Sequence, residues 1–299
     1  MAAGTEAVPL AAPRRGRVRT FVRRNPTIVI GGAMLGLMLV VALLAPWISG
    51  DPFTVNPSNR LRTPELSSLL DGSNKARFGT DNLGRDVFAR TVWGARVSLL
   101  VGMSVALFAT SIGLVIGLLA GYFRRLDTIV MRVMDALMAI PGILLAIALV
   151  ALTRGGVPVV IFAITVPEIP RVVRLVRAVV LTVRERPFID AAVSVGSRPT
   201  KVIFRHILPN TVAPLIVQAT YICASAILTE AGLSFLGAGV PPEIPTWGNM
   251  IAQARLFLAR APWTIFFPGA CLAMVVLAIN LLGDGLRDRL DPRLARRMR

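Results

Sequence analysis

The chain has 299 residues, 55% of them hydrophobic and 16% charged, with a mean hydropathy of +0.68. Ordinary soluble domains carry about a quarter charged residues, so this balance excludes a water-soluble enzyme of the same length and indicates a membrane protein. The net charge of +17 sits in Arg clusters beside apolar runs rather than on one folded face, which fits the basic flanks of membrane spans and argues against a nucleic-acid partner.

Six spans are expected in chain order, each needing about 20 apolar helical residues to cross a bilayer core. Residues 1–26 form a basic arm with Arg14, Arg15, Arg17, Arg19, Arg23 and Arg24. The first span fills 27–48. Its apolar run, Ile28 to Trp47, exceeds the about 7–15 residues of a signal-peptide core and reads as uncleaved. Residues 49–97 form a long outer loop, irregular from Asp51 to Asn74 because of Pro52, Pro57, Pro64 and Gly72, with an amphipathic surface helix expected within Phe78 to Val97. Five spans follow in 98–285. The second runs from Leu99 to Phe123 and the third lies between Arg132 and Arg154. The fourth starts after Gly155-Gly156 and is broken by Pro167, Glu168 and Pro170 ahead of Arg171. The fifth lies between His206 and Glu230, and the sixth between Arg260 and Asp284. Residues 286–299 are a tail. Most of the 33 Lys and Arg residues fall in the arm, in the links after spans two and four, and in the tail, which predicts both termini in the cytoplasm.

The residue inventory is poor in catalytic chemistry. A phosphate-binding Walker loop ends in Gly-Lys followed by Ser or Thr, but Lys75 follows Ser73-Asn74 and Lys201 precedes Val202. The only histidine, His206, has no nucleophile or base patterned around it. Cys223 and Cys271 lie in apolar runs, where a thiol packs as a small hydrophobe. No catalytic, cofactor-binding or metal-binding residue is assigned. Three acids lie near the ends of spans. Asp135 is one turn from Arg132 and Glu168 three residues from Arg171, spacings that suit local ion pairs. Glu230 stands beside Gly232 with no such neighbour. The alternative is a proton-coupled carrier with Asp135, Glu168 and Glu230 as its ion path. Arg171, Arg174 and Arg177 share one helix face and either attract anions or snorkel to lipid phosphate.

The most informative stretch is the loop 184–210. Pro187 and Pro199 stand where short helices begin, and Gly196 stands where the first would stop. Asp190, Ala191 and Ala192 give that first helix a small surface, with Arg186 and Arg198 beside it. Small residues suit close approach to a cytoplasmic protein; a helix lying on lipid would instead carry bulky apolar residues.

Asp190-Ala191-Ala192, Gly196 and His206-Ile207-Leu208-Pro209 resemble the EAA loop of ABC importer permeases in every spacing, with Asp190 where the pattern has Glu and His206 where it has Ile. Three further segments, FGTDNLGRDVFARTVWGARVSL at 78–99, LTEAGLSFLGAGVPPEIPTWGNM at 228–250 and NLLGDGLRDRLDPRLARR at 280–297, resemble the C-type subunit of the dipeptide, oligopeptide and nickel permease family. The resemblance implies an all-α membrane protein with six transmembrane helices, the type I ABC importer permease fold and a cytoplasmic coupling helix. It implies half of a translocation path for peptides, with nickel chelates, glutathione or another small solute as alternative cargo. The implied partners are a homologous B-type permease, one or two cytoplasmic ATPase subunits holding ATP and Mg, an extracytoplasmic substrate-binding protein and the bilayer of a bacterial cytoplasmic membrane. Arg186, Asp190, Ala191, Ala192, Gly196, Arg198, His206 and Pro209 are the expected ATPase-docking residues. Thr80, Asp81, Arg85, Asp86 and Glu230 are expected at the outer gate or the binding-protein contact, mutual ion pairing being the alternative for the first four.

Overall fold

Lipid offers no partner for a backbone amide, so apolar runs of this length satisfy their own hydrogen bonds as helices. The computed structural model describes residues 22, 25–64, 77–153 and 155–290. The expected basic arm falls almost wholly outside the described residues, as do residues 65–76, Arg154 and the tail from 291. The helices are α1 Pro26–Leu43, α2 Ala45–Ile48, α3 Val87–Tyr122, α4 Arg124–Met138, α5 Gly142–Ala151, α6 Val157–Arg184, α7 Pro187–Ser194, α8 Pro199–Val202, α9 Leu208–Phe235, α10 Trp247–Ala254 and α11 Trp263–Leu290. Among the described residues the only β pairing is the isolated Thr80–Asp86 bridge.

Among the described residues, four helical segments are long and apolar enough to cross a membrane: α1, α3, Pro199–Phe235 and α11; α4 and α5 together form a fifth, bent by 85°. The remaining expected span, the fourth, is α6, which is 28 residues long but carries Glu168 and four arginines. The expected amphipathic segment leads into the second span, the two forming one 36-residue helix, α3. Two expectations are corrected. The third span is not straight: after Ile140, Pro141 and Gly142 restart the helix in a new direction. The fourth is not broken at Pro167 and Pro170, because α6 runs unbroken from Val157 to Arg184. Each proline removes one backbone rung, and the flanking rungs with close packing on α3 keep the helix whole.

That packing is stepped. A β-carbon on Gly113 would lie 2.5 Å from Val172 Cβ, one on Gly117 2.7 Å from Val176 Cβ, and one on Gly121 2.7 Å from Val180 Cβ. Three glycines four residues apart thus admit three valines four residues apart, and the common direction makes α3 and α6 parallel. Close backbone approach through small residues is the usual route to helix association in lipid, where burial of apolar surface alone gives little drive. α1 and α11 pack antiparallel, with Gly31 against Ala278 and Leu282 and Gly285 against Thr27 and Ile28. Leu37, Leu107, Phe162 and Phe266 are exposed, as expected of a lipid-facing surface.

Candidate functional site

At the end of the bundle where α3 and α6 finish, Arg184 Nη1 donates to the Tyr122 carbonyl at 3.1 Å, and the chain then leaves the bundle as α7. Pro187 opens α7 after Arg186. Gly196 closes it with φ +82°: its amide donates to Val193 O at 2.8 Å, and the Ser197 amide to Ala192 O at 3.1 Å. This pair of bonds is the Schellman ending, whose left-handed residue favours glycine. A β-carbon on Gly196 would meet nothing within 4 Å, so the requirement within this chain is conformational rather than steric. Pro199 opens α8, and Ile203–Ile207 widen into a π-turn before Leu208-Pro209. The Asn210 side chain satisfies the His206 carbonyl at 2.7 Å. The His206 ring stands 6.2 Å from Phe188 and is half-buried. The second expected short helix is therefore a single turn that leads into α9.

Ile189, Val202, Ile203 and Ile207 anchor this loop. Arg186, Asp190, Ala191, Arg198 and Pro209 are exposed and Ala192 half-buried. Around them four large apolar side chains face outward: Phe188 at 48%, Val193 at 54%, Val195 at 87% and Phe204 at 66% exposure. The sequence reading named the small and charged residues here and missed these four; alternating apolar residues in the polar loop were the available signal.

The basic face of α6 is committed to ion pairs, which corrects the snorkelling expectation. Arg171 Nη1 lies 3.0 Å from Glu168 Oε1, Arg174 Nη2 lies 2.6 Å from Asp135 Oδ1, and Arg177 pairs with Asp127 through both carboxylate oxygens. The expected Glu168–Arg171 pair is present. Asp135, however, reaches across to α6 rather than to Arg132 on its own helix.

At the opposite end the loop after α9 is pulled into the bundle. Trp247 is fully buried, its indole N–H donating to Thr91 O at 3.0 Å. Thr246 caps α10 by accepting from the Asn249 amide at 3.0 Å, and its hydroxyl donates to Glu230 Oε1 at 2.9 Å. Ser234 donates to the same oxygen at 2.9 Å. Glu230 is fully buried, its Oε1 joining Ser234 of α9 to Thr246 of the returning loop. Asn249, missed in sequence, donates to Val240 O at 2.9 Å and Pro241 O at 3.0 Å. Gly237 ends α9 with the same Schellman geometry as Gly196: its amide bonds Ser234 O and the Ala238 amide bonds Leu233 O.

The outer Thr80, Asp81, Arg85 and Asp86 form an internal cluster. Arg85 pairs with Asp81 at 2.6 Å and donates to Gln253 Oε1 at 2.6 Å. Thr80 donates to Asn59 O and accepts from the Arg62 amide at 2.9 Å. Asp86 caps α3 by accepting from the Phe88 amide at 2.9 Å, and burial raises its carboxyl pKa against the lowering effect of the Phe88 and Ala89 amides and Arg77. Thr80 and Arg85 are buried; the side-chain ion pair within the group is Asp81–Arg85, while the side chains of Thr80 and Asp86 bond backbone groups.

A lipid-exposed helical bundle with one loop projecting beyond its end has the build of a membrane permease subunit. A sequence profile for the inner membrane component of binding-protein-dependent transport systems matches residues 113–296, and one for the N-terminal transmembrane domain of oligopeptide transport permease C matches 17–64. The chain belongs to this family of inner membrane components and is the membrane component of an ABC importer. It is 58% identical over 275 residues to a probable peptide ABC transporter permease protein of Sinorhizobium fredii, covering 92% of each chain. It is 42% identical to a dipeptide transport system permease protein of Alkalihalophilus pseudofirmus, over 91% of this chain and 88% of that one. It is also 39% identical to a glutathione transport system permease protein of Pectobacterium atrosepticum, over 94% and 92%. Inward-facing MetNI methionine ABC transporter shares the fold with a TM-score of 0.56 at 22% identity, covering 67% of this chain and 95% of that one.

Proposed function

We infer that the chain is the C-type member of a pair of homologous permeases and forms half of the path by which peptides, from dipeptides upward, enter the cell. ATP hydrolysis in this reading belongs to one or two separate ATPase subunits holding ATP and Mg, and cargo arrives from an extracytoplasmic binding protein. The observation that carries the docking part is the exposed apolar surface of α7 and its flanks, Phe188, Val193, Val195 and Phe204. An exposed apolar patch marks a protein or membrane contact, and the small Ala191 and Ala192 beside it favour close approach by a protein.

The loop 184–210 then lies in the cytoplasm, with both termini on the same side, and 49–97 lies outside. Residues 27–48 are the first span and 98–285 the permease core. Asp190, Ala191, Ala192 and Gly196 make the close contact, Arg186 and Arg198 flank it, and His206 and Pro209 shape the return to α9. Peptide cargo is supported by the peptide and dipeptide relatives; glutathione, itself a tripeptide, falls in the same chemical class. The Arg174–Asp135 and Arg171–Glu168 pairs count against a proton path through those acids.

The test is co-purification in mild detergent of the tagged chain with the products of its neighbouring genes, comparing parent with Gly196→Arg. Substitution at φ +82° costs about 1–2 kcal/mol of local backbone strain, too little to prevent insertion. The expected outcome is a variant that keeps the second permease and loses the ATPases. Retention of ATPases with undiminished ATP-driven uptake refutes the docking assignment.

A further inference from the structure

Between the α4–α5 elbow, α6 and α9 lies a half-open cavity of about 340 Å³ lined by residues that include Pro141, Gly142, Glu168, Arg171, Ser225 and Thr229. That size lies within the range of about 300–1,000 Å³ typical of small-molecule sites. Glu168 is the twelfth of the 28 residues of α6, so it stands about 17 Å along a helix of about 42 Å, farther from either helix end than from Arg171 in sequence. Its side chain is 9% exposed and that of Arg171 48% exposed, which places the carboxylate in the wall and the guanidinium at the mouth.

This ion pair is unlike its two neighbours. Arg174–Asp135 and Arg177–Asp127 join α6 to α4, whereas Glu168 and Arg171 lie on one helix and tether nothing. Burying charges without such a return is costly, and ionisable residues at membrane depth mark pathways for charged cargo. Both carboxylate oxygens take their bonds from the single Nη1 of Arg171, at 3.0 and 3.2 Å. A guanidinium has five donors and a carboxylate about four acceptor positions, so each group retains capacity for a ligand. The elbow adds a third element. α5 starts after Pro141 with no side-chain cap, and its first residues, Gly142 and Ile143, line the cavity at the positive end of the helix dipole.

We propose that this cavity binds the two charged ends of a peptide zwitterion, Glu168 taking the ammonium group and Arg171, with the α5 N-terminus, the carboxylate. The inference rests on the peptide reading above and deepens it. A zwitterion exchanges one internal ion pair for two with the ligand and leaves no charge unmatched, whereas a ligand blocked at either end strands one buried partner. An extended dipeptide spans about 7 Å, so the pair must part to admit it, and the half-exposed Arg171 side chain is free to swing.

The test uses the complete complex in proteoliposomes, with Cys223→Ser and Cys271→Ser as background and Thr229→Cys as reporter. Alkylation of the reporter by a small maleimide is followed with alanine peptides of two to five residues, and with their N-acetylated and C-amidated forms. ATP-driven uptake of the free peptides is measured on the same vesicles. The expected result is protection by at least one free peptide, about fourfold at three times its dissociation constant, with little from its blocked forms. Glu168→Gln is expected to abolish discrimination against N-acetylation and Arg171→Gln discrimination against amidation, while Glu168→Asp retains it. Equal protection by free and blocked peptides, or none, beside intact uptake overturns the site and leaves the peptide reading standing. Absence of ATP-driven uptake of every free peptide overturns both.

Discussion

Gly117→Ala is the sharpest test of the α3–α6 packing. The added methyl would lie 2.7 Å from Val176 Cβ, 2.9 Å from its Cγ1 and 3.0 Å from the Val173 carbonyl oxygen, where carbon atoms prefer about 3.5–4.0 Å. Val176 is 1% exposed and its β-branched side chain has essentially one helical rotamer, so relief requires the helices to part by nearly 1 Å. Overpacking of this kind costs about 1–3 kcal/mol. Replacing glycine inside a helix returns up to about 1 kcal/mol, leaving a net loss of about 0–2 kcal/mol. The assay is reversible denaturation in mixed lipid–detergent micelles on a double-mutant cycle with Val176→Ala, which makes room for the new methyl. The two substitutions should couple favourably by about 1 kcal/mol or more, whereas independent sites add within about 0.5 kcal/mol. Strict additivity in the double variant refutes the interlock.

Thr246→Val removes both the cap of α10 and one hydrogen bond to Glu230, and should cost about 1–2 kcal/mol, read as a lowered melting temperature of the purified protein. Arg177 and Asp127 are 30% and 21% exposed, so breaking the pair with Asp127→Asn should cost only about 1 kcal/mol. The reciprocal swap Asp127→Arg with Arg177→Asp should recover most of the expression lost by either charge reversal alone. Asp86 has a carboxyl pKa raised by burial. The folded state therefore holds the Asp86 proton more tightly than the unfolded chain, and stability falls as pH rises through the folded value. Asp86→Asn keeps a good cap without that loss, so its melting temperature relative to the parent should be higher at pH 7 than at pH 4.

The punctuation of the coupling loop was legible because Pro187, Gly196 and Pro199 act locally: a ring fixes φ and a missing side chain permits the reverse turn. Spans α1, α3, α9 and α11 were legible for a similar reason, as uninterrupted apolar runs. The elbow at Pro141-Gly142 had a sequence signal, but an apolar window averages across it. Continuity of α6 through two prolines depends on its packing against α3, which lies outside any local window. The partners of Arg174 and Arg177 are 39 and 50 residues away, so spacing along one helix pointed Asp135 to the wrong arginine. The bonds that hold Glu230 were not legible because its second donor, Thr246, belongs to the loop that folds back over it. The Gly113, Gly117, Gly121 series was visible throughout as a four-residue repeat, and its meaning depended on the three matching valines of α6.

Those six residues also restrict how the molecule can move. A valine seated in each notch blocks travel of one helix along the other, because the next notch lies four residues, about 6 Å, away. Tilting of the two together leaves all three notches filled. α3 and α6 therefore behave as one stiff beam, and since α7 is joined to α6 by Glu185 and Arg186 alone, a force applied to α7 reaches the far end of α3 as a swing of the whole beam rather than as slippage between its halves.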